Sequence, residues 1–266
     1  MQQNQSNMSK KTALVAGSLL AIGVKSADGV KGTKWTDAKP PSLLSDGCEL
    51  PQVDYDSAVS IDGGTLPQVI APGFGSDLGD LAIVNGSVRN CGQVYKIQCQ
   101  ATNGGAGYGD LLTPTYAVVS SQCPDEGCGI DMQLDTWNSA TENSPSGITS
   151  CNIELSNKNP LPGDNYQCFH RNGSDLNNAW YASVGIFNTQ GQIIESIKID
   201  DTVGSANGTC SVYFDVDSPP VGFVRSSSIV SFKFFGDVTW NTVKYSTCKD
   251  YQGNLISDDS GDALRL

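Results

Sequence analysis

Five short segments in the second half of the chain alternate apolar and polar residues, and this alternation constrains the fold more than any other feature. The segments are WYASVGIF (180–187), IIESIKI (193–199), SVYFDV (211–216), IVSFKFF (229–235) and TVKYS (242–246). A period of two is typical of strands that bury one face. Because polar turns separate the five segments, they predict a small β-sandwich with one face in water.

The first half of the chain has the same character. CGQVYKIQC (91–99) alternates along its length, and YAVVSS (116–121) forms a second apolar segment. Clusters of Gly, Asn, Asp, Ser and Pro lie between the segments, which is typical of an all-β sandwich or barrel. SNKNPLPGD (156–164) is polar, contains two prolines and lacks periodicity. It predicts a linker between a first domain (28–155) and a second (165–250), followed by a polar, loose tail at 251–266.

The N-terminus predicts export from the cell. Lys10 and Lys11 precede the apolar run TALVAGSLLAIGV (12–24), and small or β-branched residues follow where a signal peptidase reads. The run is too short to cross a bilayer, which needs about 20 apolar residues. We therefore expect a secretory signal over residues 1–27 and no membrane association after its removal, with a buried N-terminal helix as the alternative.

Nine cysteines also fit an oxidising compartment, and the odd count leaves one unpaired or joined to another molecule. The closeness of Cys123 to Cys128 indicates a disulfide between them. The chain has no CxxC pair and one histidine, His170, so we expect neither a metal nor another cofactor. Asn-x-Ser/Thr sequons would be glycosylated in a eukaryotic secretory pathway; outside the signal they lie at Asn85, Asn172 and Asn207.

The net charge limits the partners. Sixteen basic residues against 28 acidic residues give a formal net charge of -12. Such a chain repels nucleic acids and anionic membrane surfaces and favours neutral partners. We therefore exclude nucleic-acid binding.

One segment joins cysteines to a single carboxylate, namely CPDEGCGIDMQLDTWNSA (123–140). Asp131 stands just before what the pattern predicts to be a short helix. An aspartate there can be an N-cap or loop carboxylate. It can equally be a functional group, and the residues by themselves leave both interpretations open.

Three segments carry a resemblance to a known family. LAIVNGSVRNCGQVYKIQC (81–99) resembles the expansin and barwin-like segment in which Ala-Leu-Asn-Gly leads into CGxCYxIxC. SQCP (121–124) and GIDMQ (129–133) resemble a strand ending in Asp-x-Cys-Pro, followed by His-Phe-Asp-Leu-Ser. FHRNGSDLNNAWYASVGIFN (169–188) resembles the opening of the expansin C-terminal domain. Over most of its length the chain is therefore similar to expansins.

The resemblance implies an all-β fold, with an N-terminal six-stranded double-psi β-barrel followed by a small immunoglobulin-like β-sandwich that binds carbohydrate. It also implies a disulfide between Cys48 and Cys91. The sequence departs from the family pattern at three positions. Val94 replaces the second cysteine of CGxC, Ser121 replaces the aspartate of Asp-x-Cys-Pro, and Gly129 replaces the histidine.

Two aspartates are the candidate catalytic residues. Family-45 endoglucanases share the barrel and cleave β-1,4-glucan with inversion, and the resemblance makes Asp131 the acid and Asp37 the base. Inversion needs the two carboxyls about 6.5–9.5 Å apart. Expansins keep the first aspartate, which is thought to hydrogen-bond a bound glycan, and loosen polysaccharides without hydrolysis. Thr33 and Trp35 precede Asp37 and are candidate glycan contacts, although Asp37 also suits a simple turn.

Trp180 and Tyr181 are the candidate glycan-binding aromatics of the second domain. In the family the matching residues form a flat strip with a third aromatic, for which Tyr213 and Phe223 are the candidates. Exposed aromatic rings stack well on the apolar faces of sugars. Adjacent strand residues point to opposite faces, so ordinary core and rim positions are the alternative.

The sequence thus predicts a secreted, monomeric, expansin-like protein that binds cell-wall β-glucan or cellulose and loosens it without hydrolysis. The first alternative is a weak inverting β-1,4-endoglucanase that uses Asp131 and Asp37. The second alternative is a barwin-like defence or signalling protein without a glycan role.

Overall fold

The structure is a computed structural model. It describes residues 26–35, 47–61, 63–64, 66–73, 83–84, 87–88, 90–102, 109–123, 129–208, 211–217 and 219–256. The apolar run of the predicted signal therefore lies outside the described residues. Among the described helices, none is both long and apolar enough to cross a membrane.

The first half of the chain closes into a six-stranded barrel with the strand order β1-β7-β2-β6-β5-β8. Its strands are β1 (Ser26–Lys34), β2 (Val69–Pro72), β5 (Val94–Cys99), β6 (Thr115–Val119), β7 (Ile130–Met132) and β8 (Ile148–Leu155). Strand β1 runs parallel to β7 and β2 runs parallel to β6, while the other barrel pairs are antiparallel. A short pair, β3 (Ile83–Val84) and β4 (Ser87–Val88), lies outside the barrel. The predicted all-β class with a closed barrel is confirmed.

A short helix, α1 (Leu134–Thr141), packs on the barrel. The ring of Trp137 is fully buried, and its Nε1 donates a hydrogen bond to the carbonyl of Ser144 at 3.1 Å. The Thr136 hydroxyl donates to the carbonyl of Val69 on β2 at 3.0 Å. The Thr136 bond attaches the helix to a barrel strand, and the Trp137 bond ties the helix to the segment that follows it.

Three disulfides join described cysteines, and the predicted Cys48–Cys91 bond is among them. The others are Cys99–Cys151, between paired positions of β5 and β8, and Cys168–Cys248. Cys123 is also disulfide-bonded. Cys128 lies outside the described residues, so its pairing with Cys123 stays a prediction.

The second half of the chain forms two four-stranded sheets. One has the order β13-β14-β10-β9, and its strands are β9 (Gln167–His170), β10 (Tyr181–Phe187), β13 (Ser205–Ala206) and β14 (Tyr213–Asp217). The other has the order β12-β11-β15-β16, and its strands are β11 (Ile194–Ile199), β12 (Thr202–Val203), β15 (Ile229–Phe234) and β16 (Asn241–Lys244). Apolar residues from both sheets form one buried cluster between them, so the five periodic segments do build a β-sandwich.

The barrel and the sandwich share a hydrophobic core. Phe169, Phe187 and Tyr213 of the sandwich belong to the same buried cluster as Leu50 and the barrel strands. At the edge of this contact, the Arg171 guanidinium donates two hydrogen bonds to the Glu49 carboxylate, at 2.5 and 2.6 Å. The barrel and the sandwich therefore pack directly against each other and are not separated by a flexible linker.

The segment predicted as a linker is itself packed. Leu161 is buried, and its backbone exchanges hydrogen bonds with the side chain of Asn188, at 3.1 Å in each direction. The start of the predicted loose tail is also held, because the amide of Gln52 donates to the carbonyl of Tyr251 at 2.7 Å. The linker segment and the described start of the tail are therefore tied to the rest of the fold by backbone hydrogen bonds.

Candidate functional site

Asp131 lies in the middle of β7 and points away from the barrel core. Its neighbours Ile130 and Met132 are fully buried, whereas Asp131 is partly exposed. Helix α1 begins at Leu134 with Gln133 at the N-cap position and no side-chain cap bond. The interpretation of Asp131 as a helix cap is therefore wrong, because a strand residue and Gln133 separate it from the first turn.

The neighbouring strand supplies a hydrogen-bond partner for Asp131. Thr33 on β1 is its direct partner in the parallel register, and the Thr33 hydroxyl donates to Oδ1 of Asp131. A second contact of this hydroxyl, to the carbonyl of Ile130, measures 3.3 Å. The bond fixes one carboxylate oxygen, so the other oxygen is free to accept a hydrogen bond from a bound molecule.

An aromatic residue follows on the same side of β1. Trp35 stands two positions after Thr33, and alternation along an extended chain places both side chains on one face. The amide of Trp35 donates to the carbonyl of Met132 at 2.8 Å, which extends the parallel pairing beyond the end of β1. The predicted residues Thr33, Trp35 and Asp131 are therefore brought together on the outer surface of two adjacent strands.

The surface continues across β1 to β8. Ile148 pairs with Thr33 and is 58% exposed. On the other side, Ala71 of β2 pairs with Asp131 and is buried. Since neighbouring strands lie about 4.8 Å apart, Ile148, Thr33 and Asp131 form a short row that is open at the Ile148 end.

Gly129 explains why no histidine stands beside Asp131. Its backbone has a φ of +69°, and a Cβ at this position would lie 1.9 Å from the carbonyl oxygen of Lys31. Both facts exclude a side chain. The departure from the family pattern at this position therefore follows from the close approach of the Lys31 backbone to Gly129.

The second catalytic candidate, Asp37, lies outside the described residues. Its separation from Asp131 and its role as a base stay predictions. Among the described residues, Thr33 is the side chain hydrogen-bonded to Asp131.

Trp180 and Tyr181 stand at the start of β10. Trp180 is 55% exposed, and its amide donates to the Asn178 side chain at 2.8 Å in a turn. The Tyr181 hydroxyl donates to Oδ1 of Asp215 at 2.9 Å, and Oδ2 of Asp215 accepts from the Asn207 amide at 2.7 Å. Partial burial, and next the contact with Asp215, raise the pKa of Tyr181, so its ring stays a neutral phenol.

The predictions for the third aromatic are wrong. Tyr213 is fully buried beneath the barrel, next to Gly185 and Phe187. Phe223 is buried in the sandwich core, with its ring centroid 6.1 Å from that of Tyr245. Alternation assigns Tyr213 to the outer face of its sheet, but the barrel covers that face.

A turn that contains an exposed valine lies beside Trp180. The turn at Gly222 approaches the Trp180 ring, and the amide of Phe223 donates to the carbonyl of Ala179 at 2.7 Å. Val221 in this turn is 85% exposed. Sequence reasoning missed this apolar extension because an isolated valine in a Pro-rich turn gives no periodic signal.

Comparisons with known proteins identify the fold. No protein-family model and no curated protein sequence matches the chain. Among solved structures, the apo expansin of Clavibacter michiganensis is similar, with a TM-score of 0.51 and 13% sequence identity over 82% of this chain and 90% of that chain. An aspartate-to-asparagine mutant of the Clavibacter expansin in complex with cellohexaose gives the same values.

The closed six-stranded barrel followed by further β-sheets is therefore an expansin-like fold. The similarity spans both halves of the chain. At this level of identity it establishes the architecture, and the chemistry has to be argued from the residues of this chain.

Proposed function

We propose that the protein is a secreted, expansin-like protein that binds β-1,4-glucan, with cellulose as the leading candidate, and loosens it without hydrolysis. The observation that carries the proposal is the outward-facing Asp131, which accepts a hydrogen bond from Thr33 on the neighbouring strand. A carboxylate held in this way on a sheet surface can accept a hydrogen bond from a sugar hydroxyl. Trp35 on the same face offers a ring for stacking against the sugar.

The surroundings of Asp131 favour binding over cleavage. Inverting hydrolysis needs a second carboxylate about 6.5–9.5 Å away to activate water. The described part of the chain supplies a threonine as the hydrogen-bond partner of Asp131 and a glycine where an imidazole would stand. We therefore assign Asp131 to glycan binding and keep cleavage with Asp37 as an outcome of the experiment.

The sandwich contributes a second contact region at Trp180. A mostly exposed indole costs little to order when it stacks on a sugar face. Tyr181 is held beside it by Asp215. The Clavibacter expansin, which has the same fold, was solved with cellohexaose bound, and this supports a glucan chain as the ligand here.

Secretion is supported by the disulfides. Three disulfides between described cysteines are stable in an oxidising compartment and rare in the cytosol. The predicted signal over residues 1–27 agrees with this location.

The experiment compares the full chain with two variants that differ by one oxygen-to-nitrogen change each. Asp131→Asn keeps the shape of the side chain and removes its charge. Asp135→Asn makes the same change four residues away, in the first turn of α1. Depletion of each protein by microcrystalline cellulose, extension of wall strips under load and release of reducing sugar are measured together.

We expect the parent and Asp135→Asn to bind cellulose and extend the strips without releasing sugar, and we expect Asp131→Asn to lose most of the extension. Equal extension by Asp131→Asn would remove the proposed role of this residue. Sugar release by the parent that disappears in Asp37→Asn would establish the endoglucanase instead. A parent that neither binds nor extends would leave a defence or signalling role.

Trp180→Ala tests the sandwich, and Trp240→Ala is the matched control because Trp240 is the exposed tryptophan of the other sheet. Loss of one stacking ring should weaken cellulose binding by about 1 kcal/mol. Unchanged binding by Trp180→Ala would move the second contact region elsewhere.

A further inference from the structure

A cavity of about 480 Å³ lies where the barrel half, the sandwich and the C-terminal segment (249–256) meet. The barrel half contributes Gln52 and Asp54, which lie between β1 and β2, and the sandwich contributes Gln167 of β9. The C-terminal segment contributes Lys249 and Gln252. The volume is within the range of cavities that hold one small molecule. We name this cavity the junction pocket.

The C-terminal wall of the junction pocket is a hydrogen-bonded turn organised by Asp250. Oδ1 of Asp250 accepts from the backbone amides of Gln252 and Asn254, at 2.9 Å each. Oδ2 of Asp250 accepts from the side-chain amide of Asn254, also at 2.9 Å. One carboxylate therefore holds the backbone on which the pocket residue Gln252 stands.

The same turn is attached to the barrel half. The backbone amide of Gln52 donates to the carbonyl of Tyr251 at 2.7 Å. Gly253 approaches the barrel so closely that a Cβ added there would lie 2.8 Å from Cγ1 of Val53. The walls of the pocket are therefore in place before a ligand arrives, which reduces the entropy that binding costs.

The groups that line the pocket are mostly uncharged amides, with one charge of each sign. The ammonium of Lys249 donates to Oε1 of Gln167 at 3.3 Å and lies 5.6 Å from the centroid of the Phe169 ring. Asp54 contributes the carboxylate, and three of the lining side chains are glutamines. Because an ammonium and a carboxylate are both present, the pocket favours neither an anion nor a cation.

We propose that the junction pocket binds a neutral sugar of one or two rings. Side-chain amides both donate and accept hydrogen bonds, as sugar hydroxyls do. Pro162 and Val53 add apolar surface between the polar groups, and the C–H faces of a sugar ring can pack against it. The choice of a β-1,4-linked glucose disaccharide among neutral sugars rests on the proposed function, whereas the amide-rich lining does not depend on it.

The pocket is separate from the proposed glucan contacts. Gln167 pairs with Phe187, the last residue of β10, while Tyr181 is the first residue of this seven-residue strand. About 20 Å of extended chain therefore lies between the pocket and Tyr181. Phe187 and Tyr213, which lie between the two places, are covered by the barrel. The pocket suits a short soluble sugar, whereas the exposed Trp180 suits a polymer.

The test measures the binding of cellobiose, the β-1,4-linked glucose disaccharide, to the full chain by titration calorimetry and by thermal unfolding. The double variant is Gln52→Ala with Gln252→Ala. The described hydrogen bonds of both residues come from their backbone amides, so truncation of the side chains leaves the fold intact. Gln100→Ala is the matched control, because Gln100 is also exposed and bonded through its backbone, outside the pocket. Unfolding without sugar verifies the fold of each variant.

We expect cellobiose at about ten times its dissociation constant to raise the unfolding midpoint of the parent and of Gln100→Ala by roughly 3 °C. The double variant should bind at least about tenfold more weakly, as the loss of two hydrogen bonds predicts. Since the ligand is uncharged, its affinity should change by less than about twofold between low and high salt.

Three results would contradict the proposal. Cellobiose that does not bind, or binds the double variant as well as the parent, would overturn it. Tighter binding of glycylglycine would also overturn it, because this zwitterion would pair with Lys249 and Asp54 instead of the amides. Tighter binding of maltose, which has an α-1,4 linkage, would overturn the choice of a β-glucan sugar.

Two comparisons separate this proposal from the proposed function. Cellobiose binding should survive in Trp180→Ala and in Asp131→Asn, and cellulose binding should survive in the double variant. A parent that binds cellobiose but not cellulose would support the pocket and contradict the proposed function. A parent that binds cellulose but not cellobiose would do the reverse.

Discussion

At the scale of single residues, Gly129 shows how one backbone conformation decides which side chains a site can contain. The sequence reveals that a glycine stands where the family has a histidine, but it does not reveal the reason. The reason is the approach of the Lys31 carbonyl together with a left-handed φ. A histidine therefore cannot be restored to this barrel by substitution.

We predict that Gly129→Ala lowers the free energy of unfolding by at least about 3 kcal/mol, because strain at positive φ adds to a backbone clash. Gly63→Ala is the control, since Gly63 has a φ of +72° and a methyl group added there would meet nothing within 4 Å. It should cost about 1 kcal/mol from φ alone. Urea unfolding measures the free energy of unfolding of both variants. Equal losses would mean that the Lys31 backbone moves away from the added methyl group at little cost.

His170 is the single histidine of the chain and is buried in the sandwich. Burial, and next the charge of Arg225, lower its pKa from 6.5 to about 3. In the unfolded chain His170 therefore binds a proton below about pH 6.5. In the folded protein it binds that proton only below about pH 3. The stabilisation that comes from keeping His170 neutral is fully present above the unfolded pKa. The free energy of unfolding falls as the pH drops from about 6.5 towards about 3.

We predict that this effect lowers the free energy of unfolding by about 2.5 kcal/mol as the pH falls from about 7 to about 4.5. His170→Gln removes the titrating group, so its free energy of unfolding should fall less over the same interval. The comparison uses the slope of stability with pH within each protein, which a constant loss from the substitution does not alter. Identical slopes would show that His170 takes up its proton at the same pH in the folded protein as in the unfolded chain.

The burial of Tyr213 marks a limit of prediction at this scale. Alternation correctly separates Tyr213 from the inward Phe214 and Val216. It cannot show what covers the outer face. Here the barrel does, so a residue on the outer face of its sheet is nonetheless in the core.

At the scale of elements, periodicity located the longer strands well and the short ones poorly. The five segments of the sandwich all contain strands, and CGQVYKIQC contains β5. Strand β7 has three residues, too few for a period to be visible. Its parallel pairing with β1 is a non-local contact, which alternation within either strand cannot indicate.

Strand β1 also bears on the predicted signal. It begins at Ser26, and Ala27 is buried and pairs with Ile153 of β8. Cleavage after residue 27 would remove two positions from the barrel. We therefore predict that cleavage falls before Ser26, which N-terminal sequencing of the secreted protein measures. A mature chain that begins at Asp28 would show that this end of β1 is dispensable.

At the scale of the whole molecule, the shared core couples the barrel to the sandwich. An isolated second half would expose Phe169, Phe187 and Tyr213, which the barrel now covers. The sequence predicted two domains and a linker, because a polar segment with two prolines interrupts the periodicity. It could not indicate that the two halves bury apolar surface against each other. The alternation of apolar and polar residues within a strand is the same whether or not another domain covers its outer face.

The ion pair between Glu49 and Arg171 lies at the rim of this contact, and it allows the coupling to be measured. Both side chains are about one-third exposed or less, at 26% and 32%, and the pair is bidentate. We predict that Glu49→Gln lowers the free energy of unfolding by about 1–2 kcal/mol, which is less than a fully buried pair would lose. Glu154→Gln breaks the more exposed pair with Lys96, within the barrel, and should cost at most about 0.5 kcal/mol.

Calorimetry should give one transition for the parent and both variants, with Glu49→Gln shifted down by a few degrees. A second transition in Glu49→Gln would mean that the barrel and the sandwich unfold separately and that the shared core contributes little to either.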